Sequence, residues 1–569
     1  ALLTSCARLI GILLMKQKLK TQHKRLIIAA TSIVTVATHG AAKDSILSLP
    51  STPDIVVSAS RFPISTDRSS SFVTIIERPA QSTAPTQSIG DDLDGLSGIT
   101  MTNNGPRGSQ SGLQLGGLSS KYNKVLLDGF DLADPAAPQA VTNSAFISPQ
   151  SISRAEILTG SQGTLHGSSA IAGVVNLFTV AIPTEDSARH HIDLSAGSFN
   201  TYNAHYEFGA REGMLGAAGS FSDYRSKGIS SIRENSEADP VTINNASLKI
   251  EASPTERLSF GANVIARRSN VAFDNAFASP PGDFGIQKSE LTGLRTSASV
   301  SIMETKDYIL SLDAEAQRIE QERMEQYDPS FSASTFAGSR NQYKLQMRSD
   351  AERITVIVGT DIERSTYNDG YLAARTDTKG LFIESYFSPL IGTDINVGAR
   401  HDHHSSFGGH DNYQLGISQK LTSRIRAKAN IATGYRAPTS YELFAPASCY
   451  QGSCTPVGNN TLRPETSTSM DIGLDVAYDA QTKLTARMFY TTIEDQIGYD
   501  YATGFVQKEG KTQVKGAEIA FSTDWKNWHF SQSYNYAYGT EPSPTTSNGK
   551  RVLSGAPRHS GRTRLGYKT

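Results

Sequence analysis

The sequence predicts a mainly-β fold: a long antiparallel transmembrane barrel preceded by a compact α+β unit. Three observations predict it. From about residue 190 onward, apolar and polar residues alternate strand after strand. No apolar run reaches the roughly 18–20 residues of a membrane-spanning helix. Between residues 154 and 179, a glycine-rich block of a different texture closes a smaller unit.

The alternation is clearest at Thr201 to Phe208. Tyr202, Ala204, Tyr206 and Phe208 share one face, and Thr201, Asn203, His205 and Glu207 the other. Leu484, Ala486, Met488 and Tyr490 repeat it against Thr485 and Arg487, as do Phe530, Tyr534, Tyr536 and Tyr538. A soluble sandwich would not bury the charges of the polar face unpaired. An apolar outer face with a polar lumen is the membrane-barrel pattern, and closure removes exposed strand edges. Short turns such as Ala252-Ser253-Pro254-Thr255 alternate with long polar loops at 271–286 and 327–338, as expected of a barrel with unequal rims.

The chain has 569 residues, so at least two structural units are expected. Its 54 basic and 55 acidic residues give a net charge of −1, which excludes a nucleic-acid-binding surface as the basis of function. Lys16, Lys18, Lys20, Lys24 and Arg25 precede the apolar stretch 26–37, and Gly40-Ala41-Ala42 offers small residues for cleavage. This reads as a secretory signal ending at residue 42, with residues 1–14 upstream of a start at Met15. Export suits the close pair Cys449 and Cys454, which is expected to form a disulfide across a loop; no nearby histidine completes a metal site.

Residues 43–63 form a leader holding the β-prone segment Asp54 to Arg61 between Pro53 and Pro63. Spacing allows two readings: a strand offered to another protein's sheet edge, or the first strand of the next unit. Residues 64–185 read as α+β. A strand at Phe72 to Glu77 is followed by a helical stretch using Ile89, Leu93 and Leu96. Turn residues at 103–106 lead to the run Leu113-Gln114-Leu115, and Asp128-Gly129 after an apolar strand signals a hairpin. Two strands flanking the glycines then close the unit at 154–179. The barrel occupies 186–569.

Together these features resemble the TonB-dependent outer-membrane receptors, the cobalamin and catecholate-siderophore receptors most closely. The likeness rests on Pro53 to Arg61 (PDIVVSASR), on Val125 to Gly129 with Arg154 to Thr179, and on Gly434 to Thr439 with Tyr441 to Phe444. Leu462-Arg463-Pro464-Glu465 with Asp471 and Gly473 continues it. The resemblance implies that the α+β unit plugs the lumen of a 22-stranded barrel. It implies that Asp54, Ile55, Val56, Val57, Ser58 and Ala59 form the strand offered to TonB and its inner-membrane energising complex. It implies active import, by a monomer in the outer membrane of a Gram-negative bacterium, of a metal chelate (a ferric siderophore first, cobalamin or haem next). A passive channel is the alternative from another class. At roughly twenty residues per strand and connection the barrel part holds about nineteen strands against the 22 of plugged transporters, so the last strands are expected to be missing.

Two departures stand out. In the family an arginine precedes the glycine in both plug motifs and faces acids on the barrel wall. Here those places are Gly116 and Thr159, and the wall acids correspond to Asp471 and Glu518. Since a buried acid without its cation is costly, the contact is expected to be rebuilt with neutral donors such as Thr159.

No G-x-S-x-G, H-E-x-x-H or phosphate-cradling loop is present, so no enzymatic activity is expected. Asp131, Asp134, His403 and His404 are the candidate substrate contacts. His401, His403, His404 and His410 also invite a metal, though a strand-to-turn segment explains them as well. No cofactor is required. Asp128, Asp131 and Asp134 could hold Ca²⁺ in loops, with simple solvation the preferred reading.

Overall fold

The computed structural model describes residues 55–567 except 57, 78–87, 97, 233–236, 276–283, 451–452, 544–548 and 554. The signal segment, Asp54 and Val57 lie outside the described residues.

The leader contributes β1 (Ile55–Val56) and β2 (Ile64–Ser65), which pair with each other. The α+β unit carries β3 (Val73–Glu77), β4 (Ile99–Asn103), β5 (Ser111–Leu115) and β6 (Asn123–Leu127). It continues with β7 (Phe130–Asp131), β8 (Arg154–Thr159) and β9 (Gly173–Phe178). Five of these form one sheet in the order β3-β8-β9-β6-β7, with β6 and β9 parallel. The expected hairpin joins β6 to β7, its central residues Asp128 and Gly129 both at positive φ (49° and 89°). Helix α1 (Ile89–Leu93) starts at a capping box: Ser88 Oγ accepts from the Asp91 N–H, and the Asp91 carboxylate accepts from the Ser88 N–H at 2.7 Å. Its buried Ile89 and Leu93 join Leu115, Tyr122, Ile157 and Leu177 in the plug core.

Among the described residues beyond 186, a 19-stranded antiparallel sheet runs in chain order from Ser187–Gly197 to His559–Tyr567, its two edge strands. Tight turns at 213–214, 256–257, 352–353 and 391–392 alternate with long connections such as 227–240, 437–464 and 495–510. The turn expected at 252–255 lies at 256–257: strand Val241–Thr255 continues through Pro254, accommodated by a register shift between Ala252 and Thr255.

Large apolar residues are exposed along the outer face, among them Leu194, Phe221, Leu345, Leu415, Ile472 and Met488. Arg267, Arg400, Asp402 and Arg487 lie on the inner face and are buried. The sheet wraps around the α+β unit, since side chains all along it reach that unit's backbone. Lys249 Nζ donates to Thr179 O at 3.3 Å, Arg340 to Asp131 O at 3.3 Å, and Asn535 Nδ2 to Gly95 O at 3.1 Å. The plug thereby supplies the packing partner that a polar inner wall requires.

Candidate substrate cavities and coupling segment

Among the described residues, two large cavities lie between the plug and the wall, and the plug loop 129–143 contributes residues to both. The outer one, about 1050 Å³, is bounded by the plug apex and by Phe146, Phe273, Tyr327, Phe336, Tyr441 and Phe505. Phe273 and Tyr327 meet edge-on, ring centres 5.4 Å apart. The inner one, about 650 Å³, runs from Thr439 and Ser440 to Ser60, Arg61 and Phe62 of the leader. Cations and acids line it together, including Lys124, Arg340, Lys344, Asp131, Glu315 and Asp361.

The leader is packed into the molecule. Val56, Ser58 and Ala59 are buried. All three polar groups of Ser58 are bound: its N–H and Oγ–H donate to Glu156 Oε2 at 2.9 and 2.6 Å, and its Oγ accepts from Asn176 at 2.8 Å. His166, from the helical turn α2 (Gly163–His166) between β8 and β9, reaches Ser58 O with Nε2 at 3.0 Å. A carbonyl only accepts, so Nε2 carries the proton. Burial lowers this imidazole to about 3, which keeps it neutral. Tyr386 OH on the wall donates to Ala59 O at 2.9 Å. Arg61 lies over the Phe382 ring at 3.6 Å and 3.4 Å from Asp361, which also takes two bonds from Arg400. Burial lowers the Arg61 guanidinium, against the opposing field of Asp361.

The plug–wall contact differs from the expectation. The wall itself supplies the missing cation: Arg487 Nε donates to Asp471 at 2.9 Å and its Nη1 lies 3.0 Å from Glu518. Arg487 and Glu518 are directly opposed across neighbouring strands. The expected neutral donors such as Thr159 therefore do not take the place of the cation, which Arg487 fills. On the plug side glycine is the fitting residue: a Cβ on Gly160 (φ +85°) would fall 2.6 Å from Asp471 Oδ2, and one on Gly98 (φ +70°) would clash with Glu518. Gly116 faces Phe489 rather than an acid. A cationic tie from plug to wall occurs instead at Lys121, which the sequence reading missed. Its Nζ donates to Glu465 Oε1 at 3.2 Å and to Ile497 O at 2.9 Å, beside Tyr122 OH at 2.8 Å from the same carboxylate. Arg436 binds Glu465 and holds Glu442 through 3.0 and 2.9 Å bonds, so two cations and two acids share one buried cluster.

The candidate substrate contacts separate. Asp134 lines the outer cavity and pairs with Arg323, while Asp131 lines the inner one, 3.4 Å from both Lys124 and Arg340. Burial raises the Asp131 carboxyl, but Arg340 and Lys124 outweigh it and hold it below the usual range. Asp128 accepts from the Thr179 N–H and is paired with Lys249. The three aspartates are thus engaged by wall cations, not solvated. Among the described residues, three carboxylates with oxygens within 4.8 Å of one another occur elsewhere, at Glu237, Asp239 and Asp274.

His404 faces the lumen and stacks on Phe407 with centres 4.0 Å apart. His403 is exposed on the outer face, turned away from the cavities it was expected to line; His401, also outward, bonds Asp411 at 2.7 Å. Cys454 is disulfide-bonded, and the Cys449 backbone lies opposite it in a short hairpin.

A plug filling an antiparallel barrel, with cavities toward the long-loop rim, defines a plugged outer-membrane-type transport barrel. Family models agree: "TonB-dependent Receptor Plug Domain" matches residues 65–174, and "TonB dependent receptor-like, beta-barrel" matches 186–569. The chain belongs to the TonB-dependent receptors. The vitamin B12 transporter BtuB of Vibrio vulnificus (strain YJ016) is 24% identical over 491 residues, covering 84% of this chain and 75% of that protein. Among solved structures, the siderophore receptor PirA of Acinetobacter baumannii superposes with a TM-score of 0.72 at 15% identity, covering 87% of this chain and 84% of its own. The copper transporter OprC gives 0.71 at 17% identity, covering 88% and 83%. At these identities the structural likeness shows the fold alone.

Proposed function

We propose that this chain is an energised importer of the Gram-negative outer membrane, exported by its signal segment and acting as a monomer. Its cargo is a scarce metal chelate, a ferric siderophore ahead of cobalamin or haem. The observation that carries this reading is the leader, a β-prone strand held at every polar atom of Ser58 yet not built into the plug sheet. A segment so placed can be released as a unit.

Cargo enters the outer cavity and contacts the plug apex, shifting the population toward states with the leader free. TonB then pairs with Asp54 to Ala59 by strand addition. Force on that strand draws out Arg61 and Phe62, which line the inner end of the inner cavity, so the pull opens the path the cargo must take. The plug yields before the barrel, whose strands are hydrogen-bonded along their lengths.

The test is uptake of a panel of ferric siderophores, cobalamin and haem, with and without a protonophore. Uptake that stops when the proton gradient collapses supports the reading; uptake indifferent to it indicates a passive channel. Cobalamin is the second reading, favoured by the vitamin B12 transporters among the relatives.

A further inference from the structure

Among the described residues, a buried cation of the outer cavity has no acid paired with it. Arg267 lies on the inward face of strand Leu258–Ala272, 8% exposed, and lines the cavity. The acid whose field reaches it, Asp134, is already paired with Arg323. Of the other charges there, Arg323 also holds Glu325 at 2.8 Å, and one oxygen of Asp274 accepts from the N–H groups of Ser231 and Ile232 at 2.6 and 3.0 Å. Among the described residues no carboxylate pairs with Arg267, and its Nε finds no hydrogen-bond acceptor. The Phe146 ring, 5.2 Å from the guanidinium, steadies it without accepting that proton.

Two more unsatisfied groups adjoin it. Ser269 follows on the same inward face, and Ser289 opposes Ser269 across the strand pair. Each is 1% exposed, and neither hydroxyl has a partner among the described residues. A guanidinium buried without a counter-ion is costly, and this one is accompanied by idle hydroxyls that can donate. The shared complement of such a set is an oxyanion, which accepts from all three. A cationic or purely apolar group would leave the donors unmet.

We propose that Arg267, with Ser269 and Ser289, is a pre-placed receptor for an anionic oxygen group of the cargo, so that this receptor selects anionic chelates over neutral ones. The proposal rests on the importer reading and narrows its substrate class.

The test titrates the purified full chain in detergent with an anionic ferric tris-catecholate, a neutral ferric tris-hydroxamate and cyanocobalamin, followed by isothermal titration calorimetry. Parent, Arg267→Gln and Arg267→Lys are compared. The expected result is a preference for the anionic chelate that weakens with added salt. Arg267→Gln should lose about 30-fold or more in affinity for it while Arg267→Lys recovers part, since removing one partner of a buried charge pair is felt directly. If Arg267→Gln does not fold, the salt dependence of the parent and the Arg267→Lys comparison decide. Equal affinity of parent and Arg267→Gln for the anionic chelate, or binding of a neutral ligand alone, overturns the anion receptor and leaves the importer reading standing. Binding of none of the three probes removes the importer reading and the proposal with it.

Discussion

Replacing Arg487 with methionine tests how this barrel neutralises the acids beside its plug. Arg487, Asp471 and Glu518 have side chains only 4%, 2% and 11% exposed. Removing the cation leaves two buried carboxylates facing glycines that can offer no charge. Breaking a buried ion pair from one side costs about 3–5 kcal/mol, and the loss falls on the plug–wall seam. Purified Arg487→Met should unfold at lower temperature and expose the plug to limited proteolysis sooner. Adding Thr159→Arg in that background returns a cation from the plug side, one residue before Gly160, where a Cβ would meet Asp471. That double variant should regain more than half of the loss in a double-mutant cycle. A methionine variant as stable as the parent, or a Thr159→Arg with the same effect whether or not Arg487 is present, would refute the reasoning.

Two further outcomes follow from the same structure. Lys121→Met leaves the Glu465–Arg436–Glu442 cluster one positive charge short; its plug should be released by urea well before the barrel unfolds, read by protease sensitivity of the plug against heat-modifiable gel migration of the barrel, and identical profiles for parent and variant contradict the assignment. His166 is ordinarily half-protonated near 6.5; burial beneath the docked leader lowers it to about 3, against its bond to Ser58 O, which favours the protonated ring, so a released form whose ring meets water binds protons that the docked form refuses. Docking is therefore strongest above pH 6.5 and weakens as pH falls, by up to about 2 kcal/mol at pH 5; protease cleavage of the leader should rise between pH 7.5 and 5 and flatten in His166→Asn, and a pH-independent rate in the parent counts against it.

Much of this architecture is legible in the residues, because alternation has one physical cause in a barrel wall and leaves the same trace in each strand. Tyr202, Tyr206, Met488 and Tyr534 lie outside as the pattern requires. The site is legible only in part. The sequence offers both His403 and His404 as cargo contacts, yet neighbours on a strand point to opposite faces, and only one can reach the lumen. Arg487 was visible as a polar-face residue, but its role depends on which strand pairs with it, and pairing is non-local. Asp128, Asp131 and Asp134 look like loop carboxylates until Lys249, Arg340 and Arg323 come to them from the wall. The leader left two readings open for the same reason: its socket is built by Glu156, His166, Asn176 and Tyr386, far away in sequence.

The central claim is that the strand around Val56 couples the receptor to an energy source, and Val56→Pro tests it most directly. Proline removes a backbone donor that strand addition needs, while the outer cavity is untouched. Cells carrying the variant should bind the cargo chelate at the parent level and fail to accumulate it. Accumulation at the parent rate would contradict the account.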